Sequence, residues 1–333
     1  MSQRVTMTDV ARQAGVSVMT VSRAINRKPD VSPATRQRVL EIAERLGYRP
    51  DSIARGLATK HTGTIGLVVP DVANPFFSEV ARGAEHVAYA EGYNVFLCNT
   101  DEDLAREVAV LRSLEEKRVD GIVLCSSRLE DAELRAALVH HSAVVLVNRR
   151  LEGDNVSAVL VDDEAGGRMA TQHLLQSGHQ AIGFLAGPPV SRSGRLRLKG
   201  YCSALALAGL SCRPDWMPHC SPTVEGGRKA ARELLTKFPE MTALFCYNDL
   251  VAIGALRASA DLGRRVPHDL AVVGADDIPL AALVTPSLTT CRAPRYELGS
   301  RAMRLLLDLI SGRFSGCEEV VLQPELVVRA SAP

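Results

Sequence analysis

The stretch TDVARQAGVSVMTVSRAIN, Thr8 to Asn26, reads as two short helices joined by a tight glycine turn. Thr8 stands where a cap of the first helix is expected. Val10, Ala11 and Ala14 form one apolar face, and Gly15 offers the left-handed backbone that closes a helix. Ser17 supplies the next cap. Val21, Ala24 and Ile25 turn inward, which leaves Val18, Met19, Ser22 and Arg23 on the outer, N-terminal side of the second helix. In a helix-turn-helix module that side reaches base edges in a major groove.

The following segment, SPATRQRVLEIAERLGY from Ser32 to Tyr48, closes a three-helix unit. Ser32 caps it and Pro33 takes the first helical position. Val39, Ile42, Ala43 and Leu46 share a face, and Gly47 marks the stop. Residues 1–60 hold 11 Lys and Arg against 5 Asp and Glu, a net +6, whereas the other 273 residues hold 28 against 33, a net −5. A basic head on a mildly acidic body suits a protein that meets phosphate at one end only.

After this unit, YRPDSIARGLAT (48–59) is long enough for only one and a half to two helical turns. A helix that short is marginal alone and is expected to order only when docked, with Leu57 placed to wedge between base pairs in a minor groove.

These segments, with TGTIGLVVPDVANPFFSEV (62–80) after them, resemble in order and spacing the lactose/galactose repressor family of bacterial transcription regulators. The resemblance spans essentially the whole chain. It implies Ser17, Thr20 and Ser22 near phosphates, Val18, Met19 and Arg23 near bases, and Leu57 in the minor groove. Together with Thr8 and Asn26, which bound the motif, these are the expected DNA-facing residues. Gly56 departs from the family, whose hinge normally carries a better helix former at that position, and costs about 0.5–1 kcal/mol there.

From residue 64 onward, short apolar runs alternate with helical segments, as in TIGLVVP, YNVFLC, DGIVLC, AVVLVN and SAVLVD. The pattern then recurs through AIGFLAG, TALFCYN and DLAVVGADD. Parallel strands with crossover helices have this signature. The chain is expected to pass between two doubly wound lobes near Val161, near Leu288–Arg292, and again in VVLQPELVVR. The expected fold is therefore α/β: a three-helix head on a two-lobed effector domain of the periplasmic-binding-protein kind. Its divisions are a head at 1–49, a hinge at 50–60 and a body at 61–333. The lobes are assigned to about 61–161 with 291–320, and about 162–290 with 321–333.

Several classes are disfavoured by what the motifs lack. No GxGxxG opens a helix after a strand, and there is no phosphate-loop lysine, GxSxG or HExxH, so no enzyme, cofactor or metal site is expected. His140 and His141 are adjacent and would point about 100° apart on a helix, which disfavours a shared metal. The eight cysteines, with no CxxC pair, read as reduced core thiols of a cytoplasmic protein. No apolar run approaches the about 20 residues that span a bilayer, and MSQRVTMTDV is not an export signal.

Polar and aromatic groups cluster at strand ends, where ligands of doubly wound sheets lie. They are Phe76 and Phe77, then Asn148 and Arg149, then Ser191, Ser193 and Arg197, then Asn248 and Asp249, and last Asp276 and Asp277. By resemblance, Phe76 or Phe77, Asn148, Ser193, Arg197, Asn248 and Asp276 line the effector cleft. Arg197 offers a fork for paired oxygens, and Asp276 accepts from hydroxyls. Cys220 and Ser221 stand where many relatives carry an aromatic wall, and Ala275 where they often carry Phe or Tyr. A pocket without a stacking ring is therefore expected, which favours a sugar, sugar acid or sugar phosphate over a flat purine. The expected partners are double-stranded operator DNA, a small effector and a second copy of the chain. No heptad leucine tail precedes Pro333, so a dimer is expected rather than a tail-linked tetramer.

Overall fold

The first helix, α1 (Met7–Ala14), begins just after Thr6. The Thr6 Oγ accepts from the Asp9 N–H, and the Asp9 carboxylate accepts from the Thr6 N–H at 3.0 Å. This capping box corrects the assignment of the cap to Thr8, which lies exposed inside the first turn. In this computed structural model the described residues are 5–26, 28–49, 61–153 and 155–333, so the expectations for Gly56 and Leu57 lie outside them. They fall into two compact units, Met1–Thr62 and Gly63–Pro333.

In the first unit Gly15 ends α1 with φ at 63°, and Ser17 caps α2 (Val18–Ile25) by accepting from the Thr20 N–H at 3.1 Å. Helix α3 (Pro33–Arg45) is capped by Ser32 in the same way. Val10, Ala11, Ala14, Val21, Ala24, Val39, Ile42 and Ala43 close one small core, while Ile25 and Leu46 are half-buried at its edge.

The second unit contains two sheets. The first has six strands, β1 (Thr64–Val69), β2 (Asn94–Asn99), β3 (Gly121–Cys125), β4 (Val144–Val147), β5 (Ser157–Val161) and β10 (Glu319–Leu322), in the order β2-β1-β3-β4-β5-β10. All of its pairings are parallel. The second holds β6 (Ile182–Leu185), β7 (Ala243–Cys246), β8 (Ala271–Asp276), β9 (Thr289–Arg292) and β11 (Glu325–Val327), in the order β6-β7-β8-β9-β11. An isolated parallel bridge from Ala186 to His219 extends it beyond β6, so the second lobe repeats the strand order of the first. The β9–β11 pair is antiparallel, a departure from the all-parallel expectation. The chain passes between the lobes after Val161, between Arg292 and Arg295, and between Leu322 and Glu325.

The helices pack across reciprocal glycines. In α4 (Pro75–Ala90) and α12 (Arg295–Ile310), a Cβ on Gly83 or Gly299 would lie 2.1 Å or 1.9 Å from the facing Tyr296 or Val80 carbonyl oxygen. Helices α7 (Asp163–Gln176) and α8 (Arg192–Leu207) repeat this through Gly167 and Gly200, each with 2.1 Å of room to a facing carbonyl. Helices α9 (Val224–Lys237) and α10 (Asp249–Asp261) do so through Gly227 and Gly254. The close approach of α7 and α8 sets Asp163 and Arg197 side by side.

One cysteine expectation is overturned. Cys202, near the end of α8, is bonded to Cys212, their Cα atoms 5.3 Å apart, because the left-handed turn at Gly209 (φ 73°) folds the chain back on the helix. Cys98, Cys125, Cys220, Cys246, Cys291 and Cys317 are free thiols.

Candidate functional sites: an exposed recognition helix and an interlobe cleft

On the head, α2 turns its inner face to the three-helix core and leaves Val18 and Met19 exposed, at 43% and 63% of their surface. These neighbouring apolar side chains are open to contact from a partner surface. Ser17 and Thr20 share a hydrogen bond between their hydroxyls at 2.9 Å, and the Asn26 amide donates to the Ser22 carbonyl at 2.9 Å. Arg23 pairs with Asp30 at 3.0 Å with both side chains about half exposed, an arrangement weak enough to exchange for another partner.

In the body, the carboxyl ends of the strands of both lobes face one cavity. From the first lobe come Asn74, Phe76 and Phe77 after β1, Glu102 after β2, Ser126 and Arg128 after β3, and Asn148 after β4. From the second come Ser193 and Arg197 on α8, Pro222, Tyr247 and Asn248 after β7, and Asp276 at the end of β8. Doubly wound sheets present their ligand crevices at these strand ends. Ser191 is the one expected cleft residue outside this lining: it caps α8 and hydrogen-bonds the Tyr247 hydroxyl at 3.0 Å. Asp249 lies beneath the wall, where it accepts from the Thr290 hydroxyl and the Ile278 N–H. Arg149 and Asp277 also turn to protein partners, Asp131 and Arg292.

Sequence reasoning missed Asn74, Glu102, Ser126, Arg128, Pro222 and Tyr247. Tyr247, with Phe76 and Phe77, corrects the expectation of a pocket without a ring. A backbone signal links several of these positions: Glu102, Ser126, Asn148 and Asp276 have φ of 58°, 48°, 53° and 111°. Non-glycine residues held there tend to gather at functional sites.

The buried Arg197 guanidinium donates through Nε to Asp163 at 2.9 Å, through Nη1 to the Tyr247 carbonyl at 2.5 Å and through Nη2 to Asp276 at 3.1 Å. Burial works against its charge, but Asp163 and Asp276 outweigh it and raise its pKa further. Burial pushes Asp276 up to about 6, with Arg197 pulling it back down. Across the cleft, Arg128 grips Glu102 with two bonds, Nε at 2.5 Å and Nη2 at 2.8 Å. Asn74, Asn148 and Asn248 each direct the side-chain oxygen to a backbone N–H, of Phe76, Val161 and Val251. Among the described residues their amide NH2 groups make no hydrogen bond.

The space left among these groups is about 30 Å³, close to one water molecule's share of liquid volume. A sugar therefore enters only when the lobes part or the side chains swing. A larger surface groove of about 830 Å³, lined by Arg112, Glu116, Glu133 and His140 among others, lies away from the strand ends. Among the described residues no His, Cys, Asp and Glu cluster forms a metal site, and no helix is long and apolar enough to cross a membrane.

A helix-turn-helix head joined to a two-lobed body with a polar cleft defines a class: DNA-binding transcription regulators under small-molecule control. Residues 6–51 match the model of bacterial regulatory proteins of the lacI family, and residues 62–326 match that of periplasmic binding proteins and the sugar binding domain of the LacI family. The chain belongs to the LacI family, which is made up of transcriptional regulators and not enzymes. It is 38% identical to catabolite control protein A of Priestia megaterium over 305 residues, 91% of each chain. It is also 38% identical to the ribose operon repressor of Halalkalibacterium halodurans, over 97% of this chain and 96% of that one. The lac repressor dimer bound to operator and the anti-inducer ONPF superimposes with a TM-score of 0.88 at 29% identity, over 99% of both chains.

Proposed function

We propose that two copies of this chain bind a palindromic operator and that a sugar, sugar acid or sugar phosphate in the interlobe cleft sets how tightly they bind. The observation that carries this reading is the convergence of polar side chains from both lobes on one cavity, in a chain whose head exposes Val18 and Met19 on a recognition helix. The names of two relatives agree with it: one is a ribose operon repressor, and another was solved on its operator with an anti-inducer.

For the dimer, β2 is an edge strand that exposes Phe96 and Leu97, and α11 (Pro279–Leu283) exposes Leu280 and Leu283. Bare apolar groups on an edge strand invite a partner copy. Three crossings make a hinge, and a ligand held by both lobes changes their mutual angle. An effector that prefers one arrangement 100-fold supplies about 2.7 kcal/mol of bias, enough to redirect two heads that must reach successive major grooves.

Arg23→Ala tests the DNA half. Operator affinity should fall by about 1–3 kcal/mol, with base preference relaxed at one position of each half-site. Equal losses on random and operator duplexes would remove Arg23 from base reading. Arg197→Ala tests the cleft half. The effector response should vanish while DNA binding persists; an unchanged calorimetric titration would take Arg197 out of the site.

A further inference from the structure

We infer that the effector is an uncharged polyhydroxylated molecule, a neutral sugar or polyol, and that the Arg128–Glu102 ion pair is its recognition element on the first lobe. The inference rests on the reading of the cleft as the effector site and narrows that reading to one chemical class.

Charge balance carries the argument. Both guanidiniums that line the cavity are already matched by carboxylates: Arg128 by Glu102, and Arg197 by Asp276 and by Asp163 behind it. Among the described residues the lining therefore holds two carboxylates, Glu102 and Asp276, and two guanidiniums, each paired with one of them. A phosphate or carboxylate brought between these walls would meet no unpaired cation among the lining residues and would face the Glu102 and Asp276 carboxylates. A hydroxyl meets no such cost. It is donor and acceptor at once, and the cleft offers both: Glu102 and Asp276 accept, while the amide NH2 groups of Asn74, Asn148 and Asn248 donate.

Arg128 is suited to recognition by its placement. Its side chain is only 5% exposed although it stands on a loop, and its guanidinium lies beside Tyr247 of the other lobe. Glu102 is held with left-handed backbone at φ 58°. A planar fork clamped to a carboxylate presents a fixed donor edge and acceptor edge, the match for two neighbouring hydroxyls.

The test uses the full chain and paired probes: ribose with ribose 5-phosphate, and glucose with glucose 6-phosphate and gluconate, alongside ribitol and cellobiose. Thermal shift finds the probes that bind, and calorimetry ranks them. The expected result is that a neutral probe binds and that its charged counterpart binds at least 10-fold more weakly. Glu102→Gln, which leaves Arg128 without its carboxylate, should weaken the neutral probe at least 10-fold and narrow or reverse its advantage over the phosphate. A wild-type protein that prefers the phosphate or acid overturns the inference and leaves the cleft as the effector site. Binding of no probe of either class overturns both. A neutral ligand whose affinity is unchanged in Glu102→Gln removes the ion pair from recognition, and this comparison requires only that the variant keep the wild-type circular dichroism.

Discussion

Replacing Arg197 with Met keeps most of the side-chain volume and removes the charge on which three groups converge. In the wild type the buried guanidinium donates to Asp163, Asp276 and the Tyr247 carbonyl. The variant leaves two buried carboxylates facing each other without a cation. Removing one member of such a cluster costs about 3–5 kcal/mol, and for a unit of this size that corresponds to a melting-point loss on the order of 5–10 °C. The loss should depend on pH. Asp276 in the folded protein is pushed up to about 6, above its unfolded value, so its contribution to stability is greatest in acid and declines as pH rises through that range. Arg197 opposes the rise, and without it the Asp276 pKa climbs further. Folded Arg197→Met then holds a proton at neutral pH that the unfolded chain does not, and its deficit widens from pH 5 to pH 8. Thermal unfolding of both proteins across this range is the assay. A deficit of equal size at pH 5 and pH 8, or none at pH 8, would refute the coupling of these groups.

Three further outcomes are expected. Thr6→Ala should lower the stability of the head by about 1 kcal/mol, and Thr8→Ala by a few tenths, as read from thermal unfolding; the reverse order would restore Thr8 as the cap. Gly200→Ala places a methyl about 2.1 Å from the Glu164 carbonyl oxygen, so it should destabilise the body by about 1–3 kcal/mol and weaken ligand binding through Arg197 on the same helix, by calorimetry. Leu97→Glu puts a charge on the bare edge of β2 and should shift the chain to monomer in analytical ultracentrifugation; an unchanged sedimentation coefficient would place the interface elsewhere.

Much of this protein was legible because its elements advertise their period. Val10, Ala11 and Ala14, then Val21 and Ala24, mark the buried faces of two helices, and all are buried. The runs around β1, β3, β4 and β5 are apolar on both faces, as central parallel strands must be. The cap was misplaced because two threonines stand two apart, and Asp9 three residues beyond Thr6 was the distinguishing sign. Glu102 and Arg128 stayed hidden for a different reason. They are 26 residues apart in the chain, and only the strand order, which sets β1 between β2 and β3, makes the loops after β2 and β3 meet at one cavity. Asn148, Asn248 and Asp276 were visible because each sits next to a strand end, and Ser193 and Arg197 because they lie in the first two turns of the helix that follows β6. That Arg197 is shared between Asp163 and Asp276 was not, since Asp163 belongs to the start of α7, which the glycine contact presses against α8.

The most direct test of the account measures DNA affinity with the cleft empty and filled. A palindromic duplex selected from a random pool by the purified protein is titrated by fluorescence anisotropy at two salt concentrations, with and without a sugar shown by calorimetry to bind. The account predicts salt-sensitive, sequence-selective binding whose dissociation constant shifts at least 10-fold when the sugar is present, with the shift abolished in Arg197→Ala. Binding without sequence preference, or an affinity that the bound sugar leaves unchanged, would contradict it.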